Sequence, residues 1–340
     1  MAYSYRAVAA ATMLALAILD PLSAASAADL EPFPAKAKPI ADLPFFLIND
    51  NRLTFAYQFT ATEPGATAKT AKQVYAFTHF DAWAYGTNFF NIIALKSDHA
   101  DPAGPCLGTV ATGCAGATEF FGAARSTFGF NEIFNTKAFS MGPLRDVSFE
   151  VGADVGVENR FFGASRRALV AGLQFAFDLP YKGFFNIAPM VSQINNHNSF
   201  AQCGFAASAT NCLPDGNTHF DATWAVEMNY YMDLGFLPPS LSYFAISGRA
   251  GFTGPKGSST APAVSTPTKT ELNSEPIRLT FDAGKAFWGA KYTHGVDIWV
   301  AYNYWQNKFG SDHNKAFACI GAFAGSCTES TVYSGVTVKF

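Results

Sequence analysis

Acidic and basic side chains recur within stretches of this sequence that are otherwise apolar. Glu150 and Asp154, for example, lie among alternating valines and phenylalanines between residues 147 and 155. The charged side chains that share this pattern are Glu119, Glu150, Asp154, Asp178, Asp221, Glu227, Asp282 and Asp297, with Arg52, Lys96, Arg125, Arg249, Arg278 and Lys339. Opposed charges across a constriction create a transverse field, which a neutral polar solute tolerates better than an ion does. The same residues could instead form salt bridges that fill a protein wall.

Histidine beside serine or asparagine would indicate a different chemistry, the hydrolysis of an ester. The six histidines are His79, His99, His197, His219, His294 and His313. Only His79 and His219 lie near the strands described below, and neither has a clear serine partner. A hydrolase needs its base within hydrogen-bond reach of a nucleophile. We therefore expect no enzymatic activity.

The cysteines indicate structural cross-links and not a metal site. They form three local pairs, Cys106 with Cys114, Cys203 with Cys212, and Cys319 with Cys327. In an oxidising compartment such close spacing predicts three disulfides, each within one loop. A zinc site would favour Cys-x-x-Cys spacing together with histidine, which this sequence lacks. We expect no metal and no cofactor.

The elements that carry these residues are predicted to be strands with one apolar face. Between Arg52 and Thr60, Leu53 and Phe55 alternate with polar residues, which is the period-2 pattern of a strand. The same pattern recurs at 147–155, 169–178, 220–229, 277–282, 296–303 and Ser330–Phe340. A soluble sandwich shows this alternation too, so periodicity does not separate a sandwich from a membrane barrel.

Strand length and loop length favour the barrel. Many strands span about ten residues, as a tilted strand crossing a bilayer needs. Short turns alternate with long loops, at 98–117, 195–218, 254–273 and 307–329. We predict an all-β protein, a closed antiparallel transmembrane β-barrel of about twelve strands with both ends on the periplasmic side. Its last strand pairs with the first, Arg52–Thr60, because closure leaves no exposed edge. The cysteine loops then follow the third, seventh and eleventh strands, all on the outer side.

The amino end indicates the compartment. Arg6 precedes an apolar run from Ala7 to Leu19, and small residues follow up to Ala28. This pattern predicts a signal peptide at 1–27, followed by a proline-rich periplasmic lead segment at 28–50 and the barrel at 51–340. The charged fraction is 14%, against about 25% in a typical soluble protein, so lipid is expected to cover much of the surface. A net charge of −3 without a basic run argues against nucleic acid as a partner.

Two stretches resemble a known family. Residues 135–146 hold Asn-Thr followed by Ser-x-Gly-Pro and the basic-acidic pair Arg145-Asp146, and Phe80–Phe90 form an aromatic hairpin followed by the Glu119 strand. These features resemble the nucleoside-specific outer-membrane channel family, Tsx, and its OmpK-like relatives. Met141 stands where that family usually has an aromatic residue, and the cysteine pairs are not part of its pattern.

The resemblance implies a monomeric barrel of the bacterial outer membrane, through which nucleosides diffuse. A nucleoside has an aromatic face and hydroxyl groups, so it needs rings beside polar side chains. The candidate solute-binding residues are Tyr75, Phe77, His79, Asp81, Glu119, Arg125, Glu150 and Arg278. The first four share one side of the second strand, and the opposite side, with Val74, Ala76, Thr78 and Phe80, is about equally plausible as the lipid face.

The expected partners are outer-membrane lipid, a small nucleoside-like solute, and the barrel-assembly machinery, which would recognise the last strand ending at Phe340. Two alternatives to a channel are an outer-membrane lipid hydrolase of the barrel type and a plugged structural or adhesive barrel.

Overall fold

A computed structural model describes residues 44–106, 113–161, 163–197, 199, 202–204, 212–238, 241–257 and 267–340. The predicted signal peptide, and the lead segment up to residue 43, lie outside these ranges. The last residues of the predicted lead form part of the first strand, which begins at Phe46 and not at Arg52.

Antiparallel strands account for most of the described chain. They are β1 (Phe46–Ala61), β2 (Thr70–Trp83), β3 (Gly86–Ser97), β4 (Thr118–Gly129), β5 (Leu144–Glu158), β6 (Ser165–Leu179), β7 (Gly183–His197), β8 (Asn217–His219), β9 (Thr223–Asp233), β10 (Phe244–Thr253), β11 (Glu271–Asp282), β12 (Val296–Gln306) and β13 (Thr328–Lys339). Strand β8 pairs only with the end of β7. The other twelve strands form the barrel wall.

The helical segments are short. They are Phe130–Ile133 and Ala283–Trp288, with 3-10 turns at Ala290–Tyr292, Lys308–Gly310, Phe317–Cys319 and Gly321–Phe323. Within the described ranges, each helix falls short of the length and apolar character that a membrane-spanning helix needs.

The sheet closes on itself. Strand β1 pairs with β2 on one side and with β13 on the other, where Arg52 lies opposite Lys339 and Gln58 lies opposite Tyr333. Strands β6 and β7 also pair, so each of the twelve strands has an antiparallel neighbour on both sides. The prediction of a closed twelve-stranded antiparallel barrel, with its last strand paired to its first, is confirmed.

The two ends of the barrel differ in their connections. One end, the turn end, carries the described residues of the segments 84–85, 130–143, 180–182, 234–243 and 283–295, together with the start of β1 and the end of β13. The opposite end, the loop end, carries the described residues of 62–69, 98–117, 159–164, 198–222, 254–270 and 307–327. All three predicted disulfides are present, and each lies in a connection at the loop end. Both their pairing and their common side are confirmed.

Contacts between strands that are not neighbours identify the interior face. Lys72 on β2 contacts Glu119 on β4, and Arg125 on β4 contacts Glu227 on β9. Side chains can bridge such strands only through the inside of the barrel. Alternation from these positions gives the outward face, where large apolar side chains are exposed, including Leu53, Phe55, Phe120, Val155, Leu169, Val191, Trp224, Ile277, Ile298 and Val332.

The disulfides are expected to be dispensable for the barrel wall. Backbone ladders hold the twelve strands, and each disulfide closes a loop of only eight or nine residues in sequence separation. Reduction should therefore leave the heat-modifiable migration of the folded barrel on gels unchanged while increasing protease cleavage of the three loops. In the chain-entropy account, each link contributes about 2–3 kcal/mol at most. Loss of the folded band on reduction would contradict this expectation.

Candidate functional site

The candidate site is the interior of the barrel, where charged side chains of the described residues form several groups. The first is a bridge across the middle. The Arg125 guanidinium donates to both carboxylate oxygens of Glu227, at 3.0 and 2.6 Å, and lies 2.9 Å from Asp154 Oδ1. Gly152 stands opposite Arg125 on β5, and a Cβ there would lie 2.4 Å from Arg125 Cδ. The glycine therefore leaves the space through which the arginine reaches across the lumen.

Glu150 lies next to this bridge on β5. Its carboxylate accepts a hydrogen bond of 3.0 Å from Gln174 Nε2 on β6. Glu150 is buried, so this acceptor is held by the wall instead of projecting into open water. The bridge and Glu150 thus narrow the same level of the interior.

The second group combines one arginine with two aromatic rings. The Arg278 guanidinium stacks 3.8 Å from the Trp299 ring centroid and pairs with Glu275 at 2.7 Å. The Tyr333 ring meets Trp299 edge-on, with centroids 5.0 Å apart, and its hydroxyl lies 3.4 Å from Arg278 Nη2. Burial of Trp299 against this cation fixes the guanidinium plane. This group offers the ring and hydrogen-bonding surfaces that an aromatic polar solute needs.

The third group, the loop-end charge cluster, consists of Glu63, Lys72, Glu119, Lys308 and Glu329. All five side chains are 4% exposed or less. Lys72 pairs with Glu119 and, at 2.5 Å, with Glu63. Lys308 donates to Thr62 O at 2.5 Å, Glu63 at 3.2 Å and Glu329 at 3.0 Å. The cluster therefore ties the 62–69 and 307–327 connections to β2, β4 and β13 from inside.

Electrostatics keeps the loop members of this cluster ionised. Burial alone would raise the pKa of Glu63, but the ammonium groups of Lys308 and Lys72 lower it to about 2. Burial alone would lower the pKa of Lys308, but Glu329 and Glu63 outweigh that effect and raise it. Buried ions that are paired in this way are stable together and costly to separate.

A smaller ion-pair group lies beside this cluster. Glu271 on β11 contacts Arg166 on β6 at 3.2 Å and Lys256 at 3.7 Å, and its Oε1 accepts from Trp305 Nε1 at 3.0 Å. Burial and the nearby Arg166 lower the pKa of Lys256 to about 8, although Glu271 counteracts them. The 254–257 segment is therefore also anchored to the interior.

The predicted placement of Tyr75, Phe77, His79 and Asp81 in the lumen is wrong. Because Lys72 faces inward, alternation turns the even-numbered residues of β2 inward and these four outward. Tyr75 is 48% exposed, and its ring lies 5.3 Å from that of Phe55 on the outer surface. The aromatic rings of β2 that were predicted to bind a solute therefore lie on the outer, apolar surface.

The other four predicted residues, Glu119, Arg125, Glu150 and Arg278, do face the interior, but they belong to separate groups. Among the remaining predicted lumen charges, three differ from expectation. Phe89 pairs with the inward-facing Arg125, so alternation along β3 turns Lys96 outward. Asp178 is 62% exposed and pairs with Arg145. Asp221 lies in a connection and not on a strand. Asp178 lies at the end of β6 and Asp221 between strands, where alternation does not assign a face.

Sequence reasoning missed the two buried lysines and Glu63. Lys72 had a usable signal, since it alternates in phase with Val74 and Ala76 on a strand whose faces were otherwise ambiguous. Glu63 and Lys308 lie in connections, where no periodicity exists to report burial. Their role depends on the folding of two loops that are far apart in sequence.

No protein family model matches the sequence, and no curated protein does. Among solved structures, the chain is similar to LpxR from Salmonella typhimurium, with 10% identity and a TM-score of 0.39 over 85% of this chain and 100% of that one. It is also similar to an outer membrane channel from Pseudomonas putida F1, with 8% identity and a TM-score of 0.38 over 92% and 100%. A third is the outer membrane channel DcaP of Acinetobacter baumannii, with 8% identity and a TM-score of 0.33 over 86% and 96%.

Proposed function

We propose that this chain is a bacterial outer-membrane barrel through which small polar solutes diffuse passively. One observation carries the proposal: the closed twelve-stranded wall places ionised groups inside and exposed apolar side chains outside. A soluble barrel of this kind would have the opposite arrangement, with an apolar core and a charged surface. A lipid-facing barrel with a wet interior accounts for both faces.

The proposal places the loop end outside the cell and the turn end in the periplasm, with outer-membrane lipid around the apolar belt. In this orientation the disulfide loops face the exterior. The barrel acts as a monomer, and the barrel-assembly machinery recognises its last strand. The orientation rests on the distribution of short and long connections, and the monomeric state and the role of the last strand are carried over from the sequence expectations.

A channel fits the site better than a lipid hydrolase does. The outward-facing His79 is the histidine on which a membrane-facing hydrolase would depend, and its two ring nitrogens contact Asn51 Oδ1 at 2.8 Å and Asp81 Oδ2 at 3.0 Å. Both contacts are to acceptors that orient the ring, and neither is a hydroxyl nucleophile. A serine within reach of a ring nitrogen is what the hydrolase mechanism requires.

We further propose nucleosides as the solutes. The resemblance at 135–146 and 80–90 motivates this choice, and the Arg278, Trp299 and Tyr333 group supplies a suitable surface in the lumen. A base can stack on Tyr333 while the guanidinium of Arg278 and the carboxylate of Glu275 meet its polar edge and its ribose. Base stacking on one ring contributes roughly 1–3 kcal/mol, which holds a solute loosely enough for it to leave.

Conductance in planar bilayers tests the channel itself. Replacing Arg125 with Ala should raise single-channel conductance. The change removes the side chain that connects β4 to Glu227 on β9 across the lumen. Arg249→Ala is the matched control. Arg249 also faces the interior, but its described side-chain hydrogen bond is to Asn273 on the neighbouring strand. Both variants should shift ion selectivity towards cations, but only Arg125→Ala should widen the pore. A purified wild-type barrel that conducts no ions would overturn the channel.

Block of the ion current by adenosine tests the solute. Tyr333→Ala should weaken the block by roughly five- to hundredfold in apparent affinity, as loss of one stacking ring implies. Tyr75→Ala is the control, because it removes the same side chain from the outer face of β2. If wild-type barrels conduct ions but adenosine leaves the current unchanged, the channel is a general small porin and the nucleoside assignment fails.

A further inference from the structure

A separate group of polar side chains lies at the turn end, between β11 and β12. Asp282 ends β11, His294 lies in the turn before β12, and Asp297 is the second residue of β12. Each of the three residues offers one possible ligand atom, and these three atoms lie within 4.8 Å of one another. His294 Nδ1 is 3.0 Å from Asp297 Oδ1 and 3.9 Å from Asp282 Oδ2. Three electron-pair donors therefore converge on one small volume.

Asp282 shows that this convergence is not fully accounted for by hydrogen bonds. Its Oδ1 accepts from the backbone N–H of Lys285 at 2.8 Å and caps the helix Ala283–Trp288. Its Oδ2 is buried and has no hydrogen-bond partner, although the residue is only 3% exposed. A buried carboxylate oxygen without a donor costs free energy unless a cation satisfies it. The lone pairs of this oxygen are therefore available to a cation.

The surroundings of His294 orient its ring as metal sites require. Nε2 lies 2.9 Å from Tyr231 Oη, and that hydroxyl donates to Asp233 Oδ1 at 2.5 Å. With the hydroxyl proton committed to Asp233, Tyr231 Oη accepts from Nε2–H. Nδ1 lies 3.0 Å from Asp297 Oδ1, where a proton on Nδ1 donates to the carboxylate, and a cation that displaces this proton would meet the Nδ1 lone pair and both carboxylates. Metal-binding histidines are typically held in this way, with the other ring nitrogen donating to an oxygen backed by a carboxylate.

The backbone supports the same arrangement. His294 has a φ of 55°, a left-handed conformation that is uncommon for histidine, and it sits in the tight turn closed by Gly295 N donating to Tyr292 O at 2.9 Å. Beside the three donors lies a cleft of about 60 Å³, lined by residues that include Asp233, Tyr243 and Lys285. A volume of that size holds several waters, enough to complete a coordination shell.

We propose that Asp282, His294 and Asp297 bind one divalent transition-metal ion, such as Zn²⁺, at the turn end of the barrel. One imidazole nitrogen and two carboxylate oxygens are borderline and hard donors that suit this class of ion. Water from the adjoining cleft supplies the remaining coordination. The sequence gives little sign of the site. Cys-x-x-Cys spacing is the pattern that indicates a zinc site, and the ligands here are one histidine and two aspartates.

Titration of the purified full-length barrel in detergent tests the proposal, after treatment with a chelator. Zn²⁺ is expected to bind once per chain in calorimetry, and Co²⁺ to give a visible absorption spectrum with nitrogen ligation. His294→Asn and Asp282→Asn should each weaken Zn²⁺ binding by a factor of ten or more, as loss of one ligand implies. His313→Asn, which changes a histidine at the loop end, should bind as the wild type does.

Tyr231→Phe probes the orientation of the ring without removing a ligand. It deletes the hydroxyl that accepts from Nε2 and should weaken Zn²⁺ binding by about 10- to 100-fold. Heat-modifiable migration on gels establishes that each variant is folded. Absence of stoichiometric binding by the wild type overturns the proposal without any variant, as does equal affinity in His294→Asn and the wild type. In either case the group is an ion pair between a protonated His294 and its neighbouring carboxylates.

Discussion

Replacing Lys308 with Met is expected to loosen the loop end of the barrel and to raise its single-channel conductance severalfold. The Lys308 ammonium contacts Thr62 O, Glu63 and Glu329, and it lies 4.6 Å from the Trp305 ring centroid. Methionine keeps most of the volume but removes the lysine that pairs with Glu329 and leaves Glu63 to Lys72. Breaking a buried ion pair in this way costs about 3–5 kcal/mol. The 62–69 and 307–327 connections should respond by moving outward, which hydrates the carboxylates and opens the mouth.

Lys315→Met is the matched control for this experiment. Lys315 lies in the same connection and is exposed, so its replacement removes the same charge without disturbing the cluster. Planar-bilayer recordings should show the increase for Lys308→Met alone. Equal conductance in Lys308→Met and the wild type would mean that the loop-end charge cluster is not part of the barrier to ions.

Replacing Gly335 with Val should prevent the barrel from closing. Gly335 is in β13, where it lies opposite Ala56 on β1 and Trp299 on β12. A Cβ at this position would be 2.6 Å from Phe55 O, 2.6 Å from Trp299 Cζ2 and 2.7 Å from Ala56 Cβ. Overpacking costs about 1–3 kcal/mol where neighbours can shift, and more where they cannot. Here a backbone carbonyl in the closing ladder is one of the neighbours, so we expect β1 and β13 to separate.

Ser334→Val provides the comparison for Gly335→Val. Ser334 is the adjacent residue of the same strand and faces outward beside Val336 and Val332, where an additional apolar side chain meets lipid. Heat-modifiable migration of the protein extracted from membranes should be normal for Ser334→Val and absent for Gly335→Val. A folded band for Gly335→Val at the wild-type level would show that the seam tolerates a side chain.

The architecture could be predicted because period-2 alternation, strand length and loop length all indicate a closed antiparallel barrel. The inward charges Arg125, Glu150 and Glu227 follow from that pattern directly, and the three disulfides follow from the close spacing of the cysteine pairs. Strand β2 shows its limit, since both of its faces carry aromatic and apolar residues and alternation alone gives no phase. The phase is set by one residue, Lys72, whose partner Glu119 is two strands away.

The polar groups at the two ends could not be predicted for a related reason. Glu63, Lys308 and His294 lie in connections, where side-chain direction is set by local turns and not by a repeat. His294 becomes part of a site only because β9 brings Tyr231 and Asp233 to the same level of the wall as Asp282 and Asp297. Such proximity depends on strand register, which a single sequence leaves open.

The burial of the loop-end charge cluster has a consequence for how the barrel responds to salt. At an ionic strength of 0.15 M, mobile ions screen exposed charges over about 8 Å, and at 1 M over about 3 Å. Lys72 and Lys308 are 2% exposed, so dissolved ions cannot enter the space between them and their carboxylates. Their attraction is therefore nearly independent of the surrounding electrolyte, whereas surface pairs such as Arg145 with Asp178 weaken as salt rises. The mouth of the barrel is held by electrostatics that stay constant in fresh and in saline water.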